Sequence, residues 1–114
     1  RRSETALFLI EKGANPNARN DSGLSPLHFS AFSGNETMAE TLLDLGAEIE
    51  ATDQLGVTPL IMAAQQANLP VLKLLLRRGA NTGALSVDGL SALDIARKRK
   101  KAEVVEILQD APGS

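Results

Sequence analysis

Three short motifs recur along this chain at a single interval of 33 residues, and that period limits the possible fold more than any other feature. Gly13-Ala14, Gly46-Ala47 and Gly79-Ala80 form one set, and Gly23, Gly56 and Gly89 form a second. The third is Ser25-Pro26-Leu27-His28, Thr58-Pro59-Leu60-Ile61 and Ser91-Ala92-Leu93-Asp94. One column, Leu9, Leu42, Leu75 and Leu108, holds leucine every time. A unit this short cannot bury its own apolar face, so neighbouring units must stack side by side to make a core.

Each motif has a mechanical reason. The hydroxyl of Ser25 or Thr58 can accept a bond from an orphan N–H at a helix start. The proline that follows has no N–H to lose, and its φ is already helical. First helices are therefore predicted over about 26–33, 59–66 and 92–99. Met38, Ala39, Leu42 and Leu43 then share one helical face, since side chains three and four apart meet. Val71, Leu72, Leu75 and Leu76 repeat that face, as do Val104, Val105 and Leu108. Gly46 and Gly79 follow these second helices, where a left-handed residue closes the end at low cost. The polar, turn-rich segment from Gly46 to Gly56 suits a two-stranded finger.

Composition excludes several function classes. The chain has 114 residues, 43% of them apolar but only 3% aromatic, so its core must be made of Leu, Ile, Val and Ala. It holds no cysteine, which removes disulfides, thiol catalysis and thiolate metal sites. The net charge of −2 gives no overall field favouring nucleic acid or an anionic membrane. No apolar run approaches the ~20 residues that span a bilayer, and Glu4 and Glu11 argue against a signal peptide.

The Thr-Pro-Leu-His-x-Ala-like helix starts and Gly-Ala joints resemble the ankyrin repeat. Leu27-His28-Phe29-Ser30-Ala31, Leu60-Ile61-Met62-Ala63-Ala64, Gly46-Ala47 and Gly79-Ala80 carry the resemblance. It implies an all-α solenoid of stacked helix-turn-helix pairs with β-hairpin fingers. One domain would fill 1–114, with repeats at 20–52, 53–85 and 86–111, a partial repeat at 1–19 and a tail at 112–114. At the C-terminal end Arg97 replaces Ala31 and Ala64 of its column, and Gln109 replaces Leu43 and Leu76. These changes make an outer face polar, as a terminal cap requires, and Pro112-Gly113 then stops the helix. Leu7 and Phe8 would leave the N-terminal face apolar, so preceding repeats or a second copy are expected there.

Candidate chemistry is sparse. His28 is the lone histidine; the resemblance implies that it bonds backbone groups at the joint between finger and helix, and it has no partner for a metal or nucleophile site. Glu48, Glu50 and Asp53 could serve acid–base chemistry only if burial split their pKa values, and a solvated finger does not bury them. Gly79 and Gly83 lack the Lys-Ser/Thr and the strand of a phosphate loop. Arg97-Lys98-Arg99-Lys100-Lys101 reads either as a solubilising turn or as a site for an acidic peptide, phosphate or nucleic acid. No aromatic lies nearby to stack bases, which disfavours nucleic acid.

The resemblance also implies a concave face lined by fingers and first helices. Carried over by column, partner-contact positions on the fingers are Arg19, Asp21, Ser22 and Leu24, then Thr52, Gln54, Leu55 and Val57, then Leu85, Val87, Asp88 and Leu90. On the ends of the first helices they are Phe32 and Ser33, then Gln65 and Gln66, then Lys98 and Arg99. Leu24, Val57 and Leu90 form either an apolar stripe or a finger-to-finger packing column. Phe29, Met62 and Ile95 are expected in the core. A partner segment apolar in the middle and acidic at one end would match. The expected function is therefore a non-catalytic protein-interaction module (adaptor, scaffold or inhibitor), intracellular in cytoplasm or nucleus, with no cofactor and no membrane insertion. The alternative is a docking or regulatory domain of a larger enzyme whose catalysis lies outside this chain.

Overall fold

The computed structural model describes residues 15–111, which form six helices in three antiparallel pairs. The first helices are α1 (Pro26–Ser33), α3 (Pro59–Gln66) and α5 (Ala92–Lys98). The second helices are α2 (Glu36–Asp44), α4 (Leu69–Arg77) and α6 (Ala102–Asp110). First helices begin one period apart, as the sequence predicts, and α5 ends one residue early, with Arg99 as its cap. Leu7, Phe8, Leu9 and Pro112-Gly113, with the expectations attached to them, lie outside the described residues.

The caps explain the helix starts. The Thr58 hydroxyl accepts the Ile61 N–H at 3.2 Å. Ser91 accepts the Asp94 N–H at 3.1 Å, while its own N–H donates to the Asp94 carboxylate at 3.0 Å, a reciprocal box. Hydrogen bonds from Ser91 hold the Asp94 carboxyl below its ordinary value. Ser25 and His28 form the same box with an imidazole in place of the carboxylate.

One core runs between the two helix layers. Leu27, Leu60, Leu42, Leu75 and Leu108 are buried in it, with Ala31, Ala64, Val71 and Val104. No aromatic side chain contributes to the buried core of the described residues. The alanine column lets α1, α3 and α5 pack directly side by side. Arg97, in that column, is exposed, because no described element covers that side of α5. Ion pairs from Arg77 to Glu36 at 3.6 Å and from Arg78 to Asp44 at 2.8 Å join the exposed surfaces of α2 and α4, where each is worth under ~1 kcal/mol.

The two-stranded finger expected from the sequence does not form; among the described residues there is no strand. Each finger is one tight turn closed by one further bond. Gly23, Gly56 and Gly89 donate back to Asn20, Asp53 and Ser86 at 2.9, 3.0 and 2.9 Å. Asn20, Asp53 and Ser86 in turn donate to Leu24, Val57 and Leu90. The backbone then leaves at once for the helix cap, so no ladder can extend. Fingers instead join each other. The Gln54 N–H donates to the Ser22 carbonyl at 3.1 Å, and the Val87 N–H to the Leu55 carbonyl at 2.9 Å.

The turn between paired helices passes through one left-handed residue per unit: Gly34 (φ 79°), Ala67 (φ 55°) and Lys100 (φ 58°). Glycine holds that conformation without the strain a Cβ brings. Ala67→Gly is therefore expected to stabilise the chain by about 1 kcal/mol, read as a higher urea midpoint with an unchanged slope.

Candidate functional site

The fingers and first helices carry a surface unlike the back of the molecule. The large apolar side chains exposed among the described residues are Phe29, Phe32, Leu45, Leu55, Leu85 and Val87. Phe29 and Phe32 stand on α1, while Leu55, Leu85 and Val87 stand on the second and third fingers. Leu45 alone caps a second helix. Isolated exposed apolar groups need no explanation, but their concentration on one face does.

Arg19, Asp21, Ser22, Thr52, Gln54, Leu55, Leu85, Val87, Asp88, Phe32, Ser33, Gln66, Lys98 and Arg99 are exposed, and Leu24, Gln65 and Leu90 are half-buried. Val57 corrects the sequence reading: it is 6% exposed and belongs to the core. Its carbonyl accepts from the Asp53 N–H and from His28, and its finger is bonded to the first through Gln54 and to the third through Leu55. Phe29 corrects it the other way, at 48% exposure where core was expected. The same column buries Ile95 and half-buries Met62. Ile95 and Met62 lie on helices that pack against a preceding first helix, whereas no described helix precedes α1.

Lateral bonds shape this face. The Arg19 guanidinium donates to the Thr52 carbonyl at 2.8 Å, and the Gln54 amide donates to the Asp21 carbonyl at 2.6 Å. These two long polar side chains therefore tie finger to finger. Asn68, which sequence reasoning did not single out, donates to the Ala31 carbonyl and, at 2.9 Å, to the Phe32 carbonyl. It closes the end of α1 from the neighbouring unit and so fixes the helix that carries Phe32. Its signal in the sequence is the Asn35–Asn68 column. Asn35 accepts the Met38 N–H as an ordinary cap, whereas Asn68 makes no cap and faces back.

His28 sits at the joint beneath the face, fully buried. Its Nδ1 accepts the Ser25 N–H at 3.1 Å, which leaves the proton on Nε2, donated to the Val57 carbonyl at 2.7 Å. Burial pushes the imidazole pKa below its ordinary value, and the Val57 carbonyl opposes that only in part. Every hydrogen-bonding position of the ring is used for structure.

Two carboxylates of the acidic finger are likewise structural. Asp53 accepts the N–H groups of Leu55 and Val57 at 2.9 Å each, and Glu50 accepts the Asn81 N–H at 2.7 Å. The Glu48 N–H donates to Asn17 at 2.7 Å. Among the described residues no group of three or more His, Cys, Asp or Glu side chains could hold a metal ion, and no helix is long and apolar enough to cross a membrane.

Between the second and third fingers the face dips into a cleft of about 240 Å³. From the expected contact set it gathers Leu55, Val57, Gln65, Asp88, Leu90, Lys98 and Arg99, with Ser86 and Ile95 also in its lining. Arg19, Asp21, Ser22, Phe32 and Ser33 do not line it. Comparison with known proteins agrees with this architecture. Two family models, both described as ankyrin repeats in many copies, match residues 42–96 and residues 2–43. No curated protein matches.

Proposed function

The chain belongs to the ankyrin repeat family, and from that premise we propose that it is a non-catalytic module holding a protein or peptide on its finger and first-helix face. Ankyrin repeats generally serve as protein–protein interaction modules, and they are typically non-catalytic. The observation that carries the choice of face is the gathering there of Phe29, Phe32, Leu55, Leu85 and Val87 in solvent. Burying such side chains at an interface supplies affinity, and aromatic anchors tend to dominate it. Gln65 and Gln66 offer neutral hydrogen bonds between the apolar groups, and Lys98 and Arg99 make one end positive. Arg19, Gln54 and Asn68 hold this face rigid before a partner arrives, which lowers the ordering cost of binding. An adaptor, scaffold or inhibitor role follows from such a surface. The same reading includes an intracellular setting, cytoplasm or nucleus.

The test is capture of partners by the native chain beside a Phe32→Ala, Leu55→Ala, Gln66→Ala variant. All three side chains are exposed, so the variant should keep its fold, checked by its melting transition. The main partner is expected to be lost, with affinity falling at least roughly tenfold. An unchanged catch by the folded variant would put the binding face elsewhere.

A further inference from the structure

The cleft between the second and third fingers has a composition that selects among partners. Leu55 and Leu90 form its apolar sides, and Ile95 lies beneath. At about 240 Å³ it falls below the range of pockets for drug-sized ligands, so it suits one or two side chains of a larger partner. Lys98 and Arg99 stand on its wall, at the end of α5. Neither forms an ion pair among the described residues, where the arginines that do are Arg77 and Arg78. Cations at a helix C-terminus favour the helix dipole, which accounts for Lys98 in part. That effect does not require them to share a cleft with exposed leucine.

Resting on the proposed reading of this face, we infer that the cleft takes an acidic peptide segment, with one aliphatic side chain between Leu55 and Leu90 and a nearby carboxylate on Lys98 and Arg99. Arg99 can meet a carboxylate with two parallel N–H groups, while Lys98 supplies a point charge. Gln65, in the same lining, is placed to bond the backbone of the segment. Asp88 is the single anion there. It leaves the wall with a small positive excess, enough to match one carboxylate and too little to neutralise a run of phosphates. No aromatic side chain lines the cleft, so a nucleic-acid base would find nothing to stack on. Raising the salt concentration should weaken the carboxylate contact and spare the apolar one.

The probes are fluorescein-labelled decapeptides in a Gly-Ser background, carrying one leucine with Asp-Glu at varied spacing after it. Anisotropy should show binding to the native chain at the best spacing. Replacing Asp-Glu by Asn-Gln, or leucine by glycine, should weaken it roughly tenfold. The double variant Lys98→Glu, Arg99→Glu should lose the acidic peptide and gain the one carrying Lys-Lys instead. Both positions are exposed, and a matched Lys98→Gln, Arg99→Gln variant separates lost charge from any disturbance of the fold. Equal binding of the Asn-Gln peptide, no binding at millimolar peptide, or preferential binding of oligothymidylate would each overturn the assignment. A captured partner that depends on Phe32, Leu55 and Gln66 but ignores the charge reversal would overturn the cleft and leave the face standing. A partner indifferent to both sets would remove the face itself.

Discussion

Gly56→Ala is expected to destabilise the chain by about 3 kcal/mol, roughly three times the cost of the same change at Gly89. Both glycines are left-handed, at φ 74° and 78°, so both substitutions carry the strain of a side chain in that conformation. They differ in their surroundings. A Cβ on Gly56 would lie 2.9 Å from the backbone nitrogen of Val87 and 3.2 Å from the Cα of Ser86, whereas one on Gly89 meets nothing within 4 Å. Backbone cannot rotate aside as a long side chain can. The third finger must therefore shift, which breaks the bond from the Val87 N–H to the Leu55 carbonyl. Urea unfolding of the two variants measures the difference, and amide exchange should show Val87 losing protection only in the Gly56 variant. Equal costs at the two glycines would mean that finger stacking adds nothing. Because Leu55, Leu85 and Val87 ride on these fingers, the same substitution should also weaken a partner.

His28→Ala is expected to cost a further distinct penalty of about 3 kcal/mol. The substitution empties a fully buried site and strands the Ser25 N–H, whose acceptor there is Nδ1. The Val57 carbonyl keeps its bond from Asp53 but loses the link that ties one unit to the next. The titration has a definite sign. Burial lowers the folded-state pKa below 6.5, so between the two values the unfolded chain binds more protons than the folded one. The contribution of His28 is thus fully present above pH 6.5 and is lost as pH falls toward the lower folded value. The slope in that window is at most about 1.4 kcal/mol per pH unit. Stability measured across this range should fall with pH in the native chain and lose that component in His28→Ala. Identical pH profiles would contradict the buried neutral ring.

The helix pairs were legible because their signals are local. A hydroxyl before proline favours a helix start, and Ser25 and Thr58 act as caps there, as Ser91 does before Ala92. Leu42, Leu75 and Leu108 share a column and are all buried, since stacked units give each the same neighbours. Surface detail was harder to read, because a column records position and not side-chain size or direction. Val57 falls in a column with half-buried Leu24 and Leu90, yet it is buried on the finger that is bonded to a neighbour on both sides. Phe29 shares a column with Ile95, but α5 packs against the preceding α3, whereas no described helix precedes α1. Arg19 and Gln54 sit at contact positions but donate to the next or preceding finger, a pairing visible only once fingers are stacked. The finger strands failed for a related reason: turn residues were recognised, but how soon the chain departs for its cap is set by the tertiary arrangement.

The whole account turns on which side of the helix layers a guest occupies. Amide chemical shifts of the chain, followed as its captured partner is titrated in, report this directly. Changes should concentrate at Leu55, Gln66, Leu85 and Val87, with α2, α4 and α6 quiet on their exposed sides. Changes confined to Glu40, Lys73 and Glu106 on the second helices would place the guest behind the molecule and contradict it.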